Sequence, residues 1–453
     1  MHIGIIVLDT LRHDTCAEVM STIVNSSNHV FTNCYSTGRW TTPTHASLFT
    51  GFYPTEVDTH AGQRHLSTHK PTIAESLDRG GYETVAASNN INIDHFFDFD
   101  RGFDTFVRGP GIESRPKTND GGLDWGEIEN TIPDSGIRRP LGAIHQIMKS
   151  DAPTISTLKT GFEMYLGSSD DEAGIEWSED TFTRLSENQP TDLFFFANFM
   201  PCHYPYDPPD GYCDLEPLEG NPIEMSLRDE PLTDEEHERY WQNYVGAARY
   251  LDDALPKLIE KIDWDCLFVI GDHGELFDDH GLYGHQYGVY EELTHVPALA
   301  FGSEVPEGTT TAPTSIVDIP RTLLKLAGIE PGSDVRGRNL FEDDIPDDRA
   351  VYAESEGCEW YDPDATGIES KIPRSWADPH YMVRKGDVMY VCDKDGDRAF
   401  EPETGRERPD KVDELRETAQ TIRESRMDHT GDAEADTELT DEIEDRLEHL
   451  GYK

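Results

Sequence analysis

The sequence predicts an α/β fold: a doubly wound, largely parallel central sheet, with a smaller antiparallel α+β domain towards the C-terminus. Three observations predict it. Short, unbroken apolar runs recur along the chain, as expected of strands buried on both faces. Helical segments with start and stop signals alternate with those runs, as βαβ units require. From about residue 335 the pattern changes to short strands joined by turns.

The first expected strand, Ile3 to Leu8, ends in Asp9. A helix over Pro71 to Leu77 is stopped by Gly80-Gly81 and leads into a strand at Glu83 to Ala87. Further strands are expected at Leu193–Phe199, Asp265–Ile270 and Val296–Phe301, with a helix around Tyr244 to Leu255. A helix from Ile319-Pro320 to Ala327, with proline in its first turn, closes the series. In such sheets active residues collect beyond the C-terminal ends of the strands. Asp9, His203 and Asp272-His273 all stand just past apolar runs, which puts them in one crevice.

The stretch at about 107–190 is polar and weakly periodic, and 207–238 is rich in Pro, Asp and Glu. Both are expected to be insertions or lid loops on the substrate side. The expected organisation is therefore a catalytic domain over 1–330, a small domain over 335–410 and a charged helical tail over 411–453. The small domain holds the hairpin Tyr381 to Val391, followed by Asp393 to Gly396. Disorder is expected around 428–438.

Acidic residues outnumber basic ones 90 to 38, for a formal charge of −52. No basic stripe remains, which argues against nucleic acid or an anionic membrane surface as a partner. Self-repulsion of that size destabilises a folded chain in dilute buffer, whereas molar salt shortens the Debye length to about 3 Å. Acid spread along the whole chain suggests a salt-rich cytoplasm. No apolar window approaches the roughly 18 residues of a membrane span. The N-terminal apolar run has strand length and no charged leader before it, so a soluble cytoplasmic enzyme is expected. Seven scattered cysteines without CxxC spacing argue against a disulfide framework or zinc ribbon. Oligomeric state is not legible.

Two distant stretches look like halves of one active site. Thr41-Thr42-Pro43-Thr44-His45 offers a hydroxyl at the mouth of a helix, since Pro43 favours a helix start there. Gly271-Asp272-His273-Gly274-Glu275 offers an Asp-His pair straight after a strand. A hydroxyl attacks a charged ester only once its proton is removed, and a metal held by Asp and His can do that.

In their order these motifs resemble the sulfatase family of the alkaline phosphatase superfamily. The resemblance covers most of the chain: the strand ending in Asp9, Thr41–Gly51, Pro71–Asn89, Phe99–Phe106, Asn198–Pro209, Gly271–Pro297, Ser315–Leu340 and the closing Glu444–Lys453. Departures are specific. Sulfatases proper carry Cys or Ser at the position of Thr41 and convert it to formylglycine; threonine is a secondary alcohol and cannot give that aldehyde, so no formylglycine is expected. The arginine of that motif is His45 here, the second of two opening aspartates is Thr10, and a Lys-Trp-His segment is replaced by Ser88-Asn89-Asn90. What remains is similar to the metal site of lipoteichoic acid synthases and phosphoethanolamine transferases, where threonine is the nucleophile, and to superfamily phosphatases and phosphodiesterases.

The resemblance implies a divalent metal ion (Mn, Zn, Mg or Ca) held by Asp9, Asp272, His273 and Thr41, two hard oxygens and an imidazole beside the nucleophile. It implies catalytic roles for Thr41, His203, His285 and His45, with His203 and His285 binding anionic oxygens or protonating the leaving alkoxide. Each residue also has a plainer reading. Asp9 or Thr41 could cap a helix, His203 and His285 could brace loops, and His45 could simply pack. Thr10, Arg12 and Asp14 either support the ligands or form a solvated turn; His280 and His60 read as structural. The expected activity is hydrolysis of a small or carbohydrate-linked sulfate or phosphate ester, with Thr41 tilting the chemistry towards phosphate. The alternatives are a phosphotransferase of the phosphoethanolamine or glycerol-phosphate type and a catalytically inactive anion-binding module. A phosphomutase fits less well, because the C-terminal half follows the sulfatase pattern.

Overall fold

The computed structural model describes residues 1–60, 62–109, 174–188, 190–218, 220–357, 369–393 and 396–427. The chain divides into two units, residues 1–107 with 173–453 and residues 108–172, and nearly all described residues belong to the first. Most of the expected insertion at 107–190, and the expected disorder at 428–438, lie outside the described residues.

The strands in chain order are β1 (His2–Leu8), β2 (His29–Tyr35), β3 (Glu83–Ser88), β4 (Thr105–Arg108), β5 (Leu193–Phe199) and β6 (Cys266–Gly271). The short ribbon β7 (Leu276–Phe277) and β8 (Tyr283–Gly284) follows, then β9 (His295–Phe301), β10 (Gly308–Thr310) and β11 (Thr314–Ser315). The central sheet has the order β10-β2-β9-β6-β1-β5-β3-β4, with β11 beside β2. β1 lies parallel between β5 and β6, β3 lies parallel to β5, and β9 runs antiparallel to both of its neighbours. The largely parallel sheet expected from the sequence is what the chain forms.

Alternation along the central strands explains their unbroken apolar character. Ile3, Ile5 and Val7 enter the core on one face of the sheet with Phe194, Phe196, Phe268 and Ile270. Ile6 and Leu8 enter the core on the other face with Phe195, Ala197, Leu267 and Val269. The first face is covered by the helices Thr41–Thr50, Ile73–Arg79 and Asp318–Leu326. The second is covered by His13–Val19, Glu179–Asn188 and Asp234–Ile259. Layers on both faces are the stable solution for a sheet that is apolar on both sides.

Helix boundaries differ from expectation at their polar ends. The helix expected at Tyr244–Leu255 starts ten residues earlier, at Asp234, where Thr233 and Glu236 cap each other reciprocally. Its first turns are acidic and solvent-facing, so they read as loop. Ile73–Arg79 starts after Thr72, which pairs with Glu75 in the same way. A short helix, Pro222–Leu227, stands within the expected Pro- and acid-rich loop. Glu179–Asn188 occupies the end of the expected insertion and sends Phe182 and Leu185 into the core.

The second sheet, β12 (Ala350–Ser355), β13 (His380–Lys385), β14 (Val388–Asp393), β15 (Gly396–Glu401) and β16 (Arg406–Glu407), is antiparallel in that order. On one face Tyr352, Val383 and Tyr390 take Leu415 and Ala419 of the helix Val412–Met427. On the other, Val351, Ala353, Met382 and Met389 meet Tyr35 at the end of β2 and Val289. Among the described residues no helix is long and apolar enough to cross a membrane.

Candidate active site and metal cradle

The C-terminal ends of β1, β3, β5 and β6 deliver most of the polar residues of one crevice. Asp9 follows β1, Asn90 follows β3, Asn198 is the penultimate residue of β5, and Asp272 and His273 follow β6. The chain leaving β2 enters the helix Thr41–Thr50, which is buried along its whole length. Trp40, in extended backbone, stands at its cap position and makes no side-chain cap bond, so Thr41 is the first helical residue and not the cap. The helix ends at Gly51, whose φ of +74° is the left-handed stop that glycine permits.

Side chains converge at the start of that helix. Asp9, Asp272 and His273 offer ligand atoms that all lie within 4.8 Å of one another. Nε2 of His273 is 3.7 Å from Asp9 Oδ1, 3.5 Å from Asp272 Oδ2 and 3.3 Å from the hydroxyl of Thr41. Nδ1 of His273 donates to the Gly274 carbonyl at 2.9 Å, which leaves the ring's lone pair on Nε2. Two carboxylate oxygens and an imidazole lone pair, all on buried side chains, therefore face each other. Asp272 Oδ2, fully enclosed, receives no hydrogen bond. Acceptors gathered in this way repel unless a cation or proton stands among them, so the donor set fits a divalent metal ion.

Neighbouring groups fix the carboxylates in advance. Asp9 Oδ2 accepts from the amides of Asn90 at 2.8 Å and Asn198 at 3.0 Å. Thr10 donates its hydroxyl to Asp9 Oδ1 at 2.9 Å and its backbone N–H to Asp272 Oδ1 at 3.1 Å, from a left-handed φ of +64°. His45 donates Nδ1–H to the Thr41 carbonyl at 2.9 Å, one turn back, and accepts the second Asn198 N–H on Nε2 at 3.2 Å. Its Nδ1 also lies 3.5 Å from Asp272 Oδ2. His45 thus ties the Thr41–Thr50 helix to both aspartates. Arg12 is no solvated turn residue: it pairs with Asp14 and Asp279 and donates to the Glu275 carbonyl at 3.0 Å. Asp14 stands outside the crevice, on Arg12.

His203 and His285 complete the ring of imidazoles. Their centroids are 5.4 Å apart, and His285 is 4.6 Å from His273. His203 Nδ1 donates to the Tyr204 carbonyl at 2.6 Å. His285 Nδ1 lies 3.1 Å from Oε1 of Glu275, whose Oε2 accepts from the Tyr206 hydroxyl at 2.6 Å. Arg39, 1% exposed, binds the His285 carbonyl, Ser355 Oγ and the Gly357 carbonyl at 2.6, 3.0 and 3.0 Å. His280 and His60 lie apart from the crevice, His280 against Tyr290 and Glu292 and His60 beside Asp58.

Charge in the crevice is unevenly shared. Burial raises the Asp9 carboxyl, but the facing His203, His273 and His45 and the Asn198 amide outweigh it and bring it to about 2. Burial and the charge of Asp9 push Asp272 well above the usual carboxylate range. Burial raises Glu275 to about 7 against the Tyr206 hydrogen bond and the nearby histidines. Burial lowers His45 to about 4 despite the charge of Asp9. His203, His273 and His285 are lowered by the same cause, His285 furthest because His273 and His203 add to it. Perturbed groups packed this densely in one crevice are the mark of a functional site.

All seven residues singled out from the sequence, Asp9, Thr41, His45, His203, Asp272, His273 and His285, therefore meet in one place. Asn90, Asn198, Glu275, Tyr206 and Arg39 were not singled out. Asn90 stands where the resembling family has a Lys-Trp-His segment, Glu275 closes the Gly271–Glu275 motif, and Asn198 and Tyr206 lie in the resembling block Asn198–Pro209, whereas Arg39 carried no signal.

The Sulfatase family model matches residues 17–329. The choline-sulfatase of Rhizobium meliloti is 22% identical over 315 residues, 66% of this chain and 60% of the relative, so the match spans about three fifths of that relative's length. A low-salt glycan biosynthesis sulfotransferase of Haloferax volcanii is 31% identical over 125 residues, 26% of this chain and 30% of the relative. Among solved structures, the phosphonate monoester hydrolase from Silicibacter pomeroyi superposes with a TM-score of 0.61 at 20% identity, covering 94% of this chain and 95% of that one. A family model that spans more than half of the sequence, on a matching fold, places the chain plainly: it belongs to the sulfatase family.

Proposed function

We propose that the chain is a metal-dependent hydrolase of an anionic sulfuric or phosphoric ester in which Thr41 is the nucleophile. The observation that carries this is the Thr41 hydroxyl at 3.3 Å from His273 Nε2, within the same Asp9, Asp272 and His273 cluster. Those three side chains and Thr41 would hold the divalent ion, Mn, Zn, Mg or Ca, which when bound supplies positive charge that makes a hydroxyl easier to deprotonate and screens an incoming anion. The chain's own groups do the rest. His45 and Asn198 keep Thr41 and Asp9 in register, the first turn of the helix turns its N–H groups towards an anion, and His203 and His285 face its oxygens. The name of one relative, a choline-sulfatase, supports a small ester as substrate.

A second reading is transfer of the sulfuryl or phosphoryl group to an alcohol. It is favoured by the name of one relative, a sulfotransferase.

Aryl sulfate, aryl phosphate, bis-aryl phosphodiester and aryl phosphonate assayed in high salt with each divalent ion, with and without an acceptor alcohol, test both readings. Thr41→Ala is expected to lower kcat/KM by roughly 10³-fold or more, with Thr41→Ser retaining part of the activity. Removing the metal with EDTA is expected to abolish turnover. Full activity in Thr41→Ala, or in metal-stripped protein, would overturn the proposal.

A further inference from the structure

Glu275 is completely buried, and its two oxygens have different partners. Oε2 takes the Tyr206 hydroxyl at 2.6 Å and Oε1 faces His285 Nδ1 at 3.1 Å. The main chain pins both ends of this contact: Arg12 holds the Glu275 carbonyl and Arg39 holds that of His285. His285 in turn stands against His273, at the rim of the cradle that contains Thr41. A neutral imidazole that gives its Nδ1–H to a carboxylate carries its lone pair on Nε2. Acid, imidazole and crevice in that sequence are the parts of an oriented base.

We propose that Glu275 is the positioning residue of a Glu275–His285 pair whose Nε2 serves the second half of the reaction, the opening of the Thr41 ester. It rests on Thr41 being the nucleophile. In that step the oxygen of water, or of an acceptor alcohol, forms a bond to the sulfur or phosphorus. Its proton goes to His285 Nε2. The bond to Thr41 Oγ breaks and its electron pair returns to that oxygen. Glu275 keeps Nδ1 protonated and faces the imidazolium that results, and Tyr206 keeps Glu275 from turning away. The first half, attack by Thr41 on an ester with a good leaving group, makes no demand on this pair.

The test is pre-steady-state kinetics on the full chain with an activated aryl ester, comparing wild type with Glu275→Gln and Tyr206→Phe. Glu275→Gln keeps the shape and an acceptor but loses the charge. It is expected to release the first equivalent of aryl alcohol at close to the wild-type rate, while steady turnover falls ~100-fold. Intact-mass measurement is then expected to find a sulfuryl or phosphoryl group trapped on Thr41. Tyr206→Phe is expected to show a smaller loss in the same step. Equal loss in burst and turnover with no trapped ester, or unchanged turnover, would overturn the pairing while leaving Thr41 in its role. A wild type that releases no aryl alcohol from any ester would overturn both. If Glu275→Gln does not fold, ¹⁵N–¹H correlation spectra of metal-free wild type decide: a proton on Nδ1 of His285 supports the pairing, and one on Nε2 alone overturns it.

Discussion

Asp272 shows how a single carboxyl can be unfavourable alone and useful with a partner. Burial and the neighbouring Asp9 raise it, so in the metal-free protein its folded-state value lies above that of the unfolded chain. A carboxyl shifted in that direction contributes stability below its unfolded value and loses it as pH rises through the folded value. Metal-free protein is therefore expected to weaken towards alkaline pH. Asp272→Asn should melt several degrees higher than wild type at pH 8 in EDTA, yet gain nothing from added divalent ions, whereas wild type gains; thermal scans with and without metal check both. Much of this site was legible from residue order. Asp9, Asp272 and His273 each follow an apolar strand, and Thr41 precedes a helix-starting Pro43. The amides of Asn90 and Asn198 were not legible, because only the fold brings them to the same oxygen of Asp9. Glu275 stands in the Gly271–Glu275 motif, but only the fold shows it buried between Tyr206 and His285.

At the level of elements, the small antiparallel sheet is joined to the crevice through Arg39. Its guanidinium spans the His285 carbonyl, Ser355 at the end of β12 and the Gly357 carbonyl just beyond it. Lysine cannot serve three acceptors in that fork, so Arg39→Lys is expected to cost about 2–4 kcal/mol in chemical denaturation and to reduce turnover as well. His380 at the start of β13 packs edge-on against Tyr287 at 4.6 Å. Burial and the nearby Arg39 bring it from 6.5 to about 4. The folded state then binds fewer protons than the unfolded chain between those values. The stability from this histidine is present above pH 6.5 and lost as pH falls towards 4. The urea midpoint of wild type should drop across that window, and His380→Gln should flatten the drop. Strands were the more legible elements, since burial on both faces leaves an unbroken apolar run. Helix starts were less so: Asp234–Arg239 is helical because Thr233 and Glu236 cap it, in a stretch whose polarity reads as loop.

For the whole molecule the governing number is the formal charge of −52. Repulsion among solvent-facing carboxylates is long-ranged in dilute buffer and screened within about 3 Å at molar ionic strength. The melting temperature is expected to rise steadily between dilute buffer and molar KCl, and a flat or falling profile in calorimetry would refute that. Salt at such levels also brings competing cations, and here the backbone angle of Thr10 matters. Because this residue fastens both aspartates from a left-handed conformation, the opening between them has its dimensions before any ion arrives. A receptacle of fixed width sorts ions by radius as well as by ligand preference. Freed by glycine at position 10, the same two aspartates should adapt to each ion in turn, and the affinities for small and large divalent ions should draw together.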